Sequence, residues 1–245
     1  MTESTPRVKS PDRPAGQAHA RRPRGSITVP AILDAAERLA AEGIEAVTVR
    51  AVTSQLHASP MAFYRHFATK EALVDALLDR VLGRFQPPPA TEDWVEDLRS
   101  FGLSHRRILQ DHPWAVTPLF GHPAPGLNAV RIGESALAIL QRGGVTGDRA
   151  VAIFSGIIAL NYGWSAFTTA QLTARPATGD DKPPLREVLA ALPADEFPLT
   201  VAVADSMGGF GTDPHYRIAL DRLLAGVSTA SLTNRLSRSA DQTSG

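Results

Sequence analysis

Residues 48–73 read TVRAVTSQLHASPMAFYRHFATKEAL. Thr48, Ser59 and Thr69 each stand just ahead of an apolar stretch with helical spacing, where a side-chain oxygen can accept an orphan N–H of the first helical turn. Val49, Val52 and Leu56 follow the first, and Pro60, tolerated at a first helical position, follows the second. The third opens a longer amphipathic run with Leu73, Leu77, Val81 and Phe85 inward, stopped by Pro87-Pro88-Pro89. Only His57-Ala58-Ser59 separates the first two helices, which therefore have the dimensions of a helix-turn-helix. Phe63 and Phe67, four apart, form the inward face of its second helix, leaving Met61, Ala62, Tyr64, Arg65 and His66 outward or sideways.

That outer face has the chemistry of a DNA reader. Arg65 can fork to guanine or to a phosphate, the Tyr64 hydroxyl reaches a phosphate, and Lys70 at a helix start points an ammonium at the backbone. Met61 and Ala62 carry no hydrogen-bonding side-chain group and would meet bases only through thymine methyls. Thr48, Arg50, Ser59, Pro60 and His66 complete the expected DNA-contacting set, the helix starts adding their own amides. Packing or capping is the competing role for Tyr64 and His66.

Outward from this motif the periodicity stays helical and no alternating run with a hairpin turn intervenes, so the fold is expected to be all-α. A helix precedes the motif, with Thr28 as its cap, Pro30 early, a stripe of Ile32, Leu33, Ala36, Leu39 and Ala40, and Gly43 at its end. Beyond the prolines, helices are expected over Asp93–Asp111, Leu127–Arg142, Thr146–Leu172, Phe197–Met207 and Pro214–Leu232, with a short turn around Trp114–Phe120 and a loop over Arg175–Pro184. The domains implied are a disordered basic arm at 1–26, a DNA-binding unit at 27–85, a ligand-binding and dimerisation unit at 90–232, and a polar tail at 233–245.

Net charge is zero over 245 residues, yet residues 1–26 hold six basic and two acidic side chains, so the basic end is local. That arm is either a solubilising tail or a phosphate contact. The absence of cysteine excludes disulfides, thiolate metal sites and a cysteine nucleophile. The longest apolar run, Ala150 to Leu160, falls short of the roughly 18 residues of a membrane span, and no apolar segment follows the basic N-terminus. A cytoplasmic protein without a membrane association is expected. His105, His112 and His122 lack the spacing of a helical metal pair, so no metal is assigned. Ser104 and His105 point ~100° apart on a helix, and no nucleophile elbow, phosphate loop or carboxylate pair occurs. Neither catalysis nor a cofactor is expected.

At Thr48-Val49-Arg50, Leu56, Ser59 and Phe63-Tyr64-Arg65-His66-Phe67-x-x-Lys70-Glu71-Ala72-Leu73 the chain resembles the tetracycline-repressor (TetR) family of bacterial regulators, over residues 27–85. Two positions depart: His57 stands where the family commonly has glycine, and Thr53 where a small alanine usually packs. The remainder resembles the family's regulatory domain through Trp94, Asp111-His112-Pro113-Trp114, Pro125-Gly126-Leu127-Asn128, Gly143-Gly144 and Tyr216 to Gly226. The resemblance implies a ligand in each subunit and a dimer bundle of the last long helices. The polar residues that grip tetracycline and magnesium in relatives do not recur, so that drug is not the expected ligand.

The expected ligand site draws on Phe101, His105, Trp114, Phe120, His122, Phe154, Asn161 and Phe167, which are mostly aromatic with scattered polar groups and suit a small apolar effector. Plain core is the competing role for the aromatics, and Asn161, an amide on an apolar helix, needs a partner in a ligand, a facing helix or a second subunit. The Thr146–Leu172 helix is apolar all round, so faces beyond its own core stripe need a partner; Ile157, Ile158, Leu220, Leu223, Leu224 and Val227 are the candidate dimer contacts. Together these imply a homodimeric repressor that leaves a palindromic operator when an effector binds. The alternative is a helical small-molecule-binding dimer that no longer binds DNA, suggested by His57 and Thr53.

Overall fold

In a computed structural model the described residues are 27–122, 126–173, 183–209 and 211–242, the side chains of 170–173 and 228–242 excepted. The basic arm and most of the loop expected at Arg175–Pro184 lie outside them. Twelve α-helices and no strand are found among the described residues.

Helix α1 (Val29–Ala40) starts where Thr28 Oγ1 accepts the Ala31 N–H, with Pro30 in its first turn. It buries Ile32, Ala35, Ala36, Leu39 and Ala40. Ala35 takes the inward place expected of Leu33, which is half-buried. Helices α2 (Val49–Gln55), α3 (Pro60–Tyr64) and α4 (Lys70–Leu82) begin at the hydroxyls of Thr48, Ser59 and Thr69, which accept from Ala51, Ala62 and Ala72 at 3.1, 3.3 and 3.1 Å. In α2 the fully inward residues are Val52 and Thr53, while Val49 and Leu56 are half-buried.

Helix α5 (Trp94–Asp111) is capped by Asp93, whose carboxylate accepts from Val95 and Glu96 at 3.0 and 3.1 Å. The turn expected around Trp114 is a 3-10 turn followed by α6 (Val116–Gly121). Next come α7 (Leu127–Arg142) and α8 (Gly147–Thr173). The indole of Trp94 closes over the end of α7: a Cβ on Gly143 would lie 2.4 Å from its ring, so this position accepts only glycine as packed. The chain then departs from expectation. A helix α9 (Leu185–Ala190) lies just beyond the expected loop, and the single helix expected over Phe197–Met207 is two short ones, α10 (Pro198–Ala202) and α11 (Ala204–Gly208). Helix α12 (Asp213–Gln242) continues past Leu232 through most of the expected polar tail.

Two cores result, and α4 belongs to both. Leu73 and Leu77 pack with Ile32, Leu39, Val52, Phe63 and Phe67 of the N-terminal helices. Val74, Leu78 and Leu82, on another face of the same helix, pack with Leu98, Phe101, Leu109, Leu119, Ile132 and Leu140 of the second core. Within that core α12 lays Tyr216, Leu220 and Leu224 against α5 and α8 of its own chain. By length and composition the stretch Gly147–Thr169 of α8 could cross a membrane, yet it packs here against α5, α6, α7 and α12.

Candidate functional site

The turn between α2 and α3 adopts the left-handed conformation at His57, φ 49°, the one non-glycine residue with positive φ among the described residues. Histidine thus takes the backbone shape glycine would adopt without strain. Thr53 is 3% exposed, and its hydroxyl donates to Val49 O at 2.8 Å and Arg50 O at 3.1 Å. Its polarity is satisfied within α2, so it packs as a small residue would. Both departures therefore leave the helix-turn-helix intact.

Thr48, Arg50, Ser59, Pro60, Met61, Tyr64, Arg65 and His66 are exposed together, and Lys70 is half-buried at the first position of α4. Ala62 is corrected: it is 3% exposed, turned inward beside Phe63 on a helix packed against α2, so its methyl cannot meet a base. Phe63 anchors this face from below, edge-on to Tyr64 at 5.4 Å and tilted against Phe67 at 5.7 Å. The Thr48 and Ser59 oxygens accept helix N–H groups, which leaves each hydroxyl hydrogen free to donate to a phosphate.

A cavity of about 430 Å³ lies between α5, α6, α7 and α8, lined by Leu82, His105, Phe120, Ala129, Ile132, Phe154, Ile158 and Tyr162 among others. Of the expected ligand residues it gathers His105, Phe120 and Phe154. Phe101 is fully buried behind them, stacked on His105 with centroids 6.4 Å apart. Asn161 is buried on another face of α8, held by Gly102 O, His105 and Tyr216 of its own chain, so its partner is the facing helices. Trp114 packs against both cores and borders a more open groove of about 840 Å³ with Asp34, Glu37 and His112. His122 pairs with Asp75 of α4, and Phe167 is exposed on α8.

Sequence reasoning missed Leu82, Ala129, Ile132, Ser155, Ala159, Tyr162 and Gly163 as lining residues and placed Ile158 in the dimer seam, whereas it faces the cavity. The spacing of Phe154, Ile158 and Tyr162 at four-residue steps was the available signal. Four of the other seam candidates are corrected too. Ile157, Leu220, Leu224 and Val227 are buried within the chain, and Leu223 packs against the same core. The Tyr216, Leu220 and Leu224 stripe of α12 packs on α5 and α8 of its own chain.

Electrostatics tie the parts together. Arg80 pairs with Asp34 at 2.6 Å, and Arg84 with Glu37 at 2.5 Å and with the His112 ring, joining α1, α4 and the end of α5. Asp79 of α4 accepts the Asn128 N–H at 2.7 Å and its amide at 3.0 Å, while Asp79 O accepts that amide at 2.9 Å. Buried Asp97 accepts from Arg142 and from Thr91, and the Arg142 guanidinium foremost holds its carboxyl at about 2. Burial pushes the His105 imidazole down to about 4 and the Tyr162 hydroxyl up to about 12. Among the described residues no cluster of side chains could hold a metal.

The family described as "Tetracyclin repressor-like, C-terminal domain" matches residues 86–231, and "Bacterial regulatory proteins, tetR family" matches residues 32–77. The chain belongs to the TetR family. It is 28% identical to an HTH-type transcriptional regulator of Saccharopolyspora erythraea, covering 79% of this chain and 81% of the relative. It is 26% identical to the HTH-type transcriptional repressor DrrR1 of Streptomyces coeruleorubidus, covering 86% and 81%. The fold matches apo ActR of Streptomyces coelicolor with a TM-score of 0.76 at 21% identity, covering 86% and 100%; ActR is also known in complex with actinorhodin. This TetR-family chain is a transcriptional regulator with a helix-turn-helix, and not an enzyme.

Proposed function

We propose that this chain is a homodimeric repressor that holds a palindromic operator through α3 and leaves it when a small apolar molecule fills the cavity between α5 and α8. The observation that carries the reading is α4. It contributes Leu73 and Leu77 to the core beneath the DNA-reading face and Leu82 to the cavity wall. A ligand pressing on Leu82 therefore acts on a helix whose other end seats Phe63 and Phe67. If the liganded form spaces the two reading helices wrongly for successive major grooves, operator affinity falls by the ligand's differential affinity for the two forms.

The dimer reading rests on what α8 leaves uncovered. Only 22% of its most apolar stretch is buried within the chain. Val151, Ala152 and Phe167 are exposed along it, and Ile218 is exposed on α12. Exposed apolar side chains on both helices suit a four-helix seam built from two copies.

Selection of DNA from a random pool by the full chain, followed by anisotropy titrations at several salt concentrations, tests the reading. Palindromic sites are expected. Lys70→Ala should weaken all DNA equally and flatten the salt slope by roughly 1, while Arg65→Ala should cost about 1–3 kcal/mol at one base pair of each half-site. Binding without sequence preference, or none at all, would favour the alternative of a helical small-molecule-binding dimer.

A further inference from the structure

Asn161, buried on α8, has its amide orientation decided by its neighbours. Its Nδ2 donates to Gly102 O at 3.0 Å, and a carbonyl oxygen can only accept, so the amide oxygen cannot take that place. Its Oδ1 accepts from the Tyr216 hydroxyl at 2.5 Å. The second amide hydrogen goes to His105 Nδ1 at 3.0 Å. An Nδ1 that accepts carries no proton, so neutral His105 must carry its proton on Nε2. Burial keeps the ring neutral, with its value down at about 4.

His105 lines the cavity, and among the described residues its ring is hydrogen-bonded at Nδ1 alone. The aromatic walls are Phe120, Phe154 and Tyr162, with Tyr162 edge-on to Phe120 at 5.7 Å and tilted to the His105 ring at 5.8 Å. No Asp, Glu, Lys or Arg lines the cavity, so an ionic ligand would lose its water without gaining a counter-charge. Arg106 lies over the Tyr216 ring at 3.9 Å, and Asp213 pairs with Arg106 at 2.8 Å. They act on the network through Tyr216 and do not line the cavity.

We propose that Asn161 locks His105 as a hydrogen-bond donor in the cavity, so that the effector is a neutral, flat aromatic molecule with a carbonyl oxygen that accepts from His105 Nε2. Asn161 is a positioning residue, and His105 is the specificity-determining contact. The proposal rests on the reading of this cavity as the effector site.

Two measurements on the full chain test it. Nitrogen-15 spectra of the histidine rings at neutral pH should show His105 protonated at Nε2 and bare at Nδ1, and Asn161→Asp, which replaces the donor by an acceptor, should move the proton to Nδ1. A wild-type ring protonated at Nδ1 overturns the proposal without reference to any ligand. The second measurement is equilibrium dialysis with 9-fluorenone and fluorene, which differ by a carbonyl against a methylene. Wild type should hold fluorenone roughly fivefold tighter, the ratio one neutral hydrogen bond supplies. His105→Phe should keep fluorene within about twofold and lose the preference, and Ile132→Trp, which fills the cavity, should abolish both. Equal binding of the two probes in wild type leaves the cavity reading standing and overturns the donor role. Failure of both to bind, or binding unaffected by Ile132→Trp, overturns the cavity reading and the proposal with it.

Discussion

The clamp between Asp79 and Asn128 joins the helix shared by both cores to the first turn of α7, whose Ala129 and Ile132 line the cavity. Asp79→Ala removes a carboxylate that accepts two hydrogen bonds, at 2.7 and 3.0 Å, and so removes the cap of α7. A helix cap is worth about 1 kcal/mol, and a bond to a charged group somewhat more; with the partial exposure of Asp79 discounted, the loss should be about 2 kcal/mol. In a chain of this length that corresponds to a fall in Tm of about 6 °C. Asn128→Ala keeps the backbone bond and should cost about 1 kcal/mol. The double variant should fall short of the sum by about 1 kcal/mol, because the two changes share one bond. Gly126→Ala should mimic the loss, since its Cβ would sit 2.4 Å from the Asp79 side chain. Urea unfolding of the four forms at one protein concentration measures this, and hydrogen exchange should show the first turn of α7 opening first. Additivity within 0.3–0.5 kcal/mol would refute the clamp as a coupled unit.

The Asp97 carboxyl is held at about 2 by Arg142 and Thr91, against 3.8 for the ordinary group. Its contribution is therefore complete above about pH 4 and lost as pH falls towards 2, and acid unfolding of Asp97→Asn should lack that part of the decline. The buried His105 gives a second limb: its value falls from 6.5 to about 4, so stability should decline as pH drops through that interval, and should do so less in His105→Phe. His57→Gly should raise stability by about 1 kcal/mol by relieving the left-handed backbone at φ 49°; an unchanged urea midpoint would argue against strain there. Val151→Glu, on an exposed face of α8, should give folded monomers in analytical ultracentrifugation, whereas Leu224→Glu, inside the chain's own core, should unfold the protein.

The helix-turn-helix was legible because its determinants are local. A hydroxyl three residues ahead of a free N–H, a proline in a first turn and two phenylalanines four apart act within a few residues of one another, and the structure keeps all of them. Ala62 is the instructive miss: on a helix as short as α3, small changes of rotation decide whether a methyl faces a groove or a neighbour. For α8 the sequence could say only that the helix is apolar all round. Ile157 and Asn161 turn to α5 and α12, Phe154, Ser155, Ile158, Ala159, Tyr162 and Gly163 to the cavity, and Val151 and Ala152 outward. Hydrophobicity is non-directional, so a pattern without a polar face does not allocate its faces. Local chemistry by itself determined where the helix-turn-helix lies. Which apolar residues became core, cavity wall or open face was decided only when α12 docked on α5 and α8, because that contact used up one stripe of each helix and left the others.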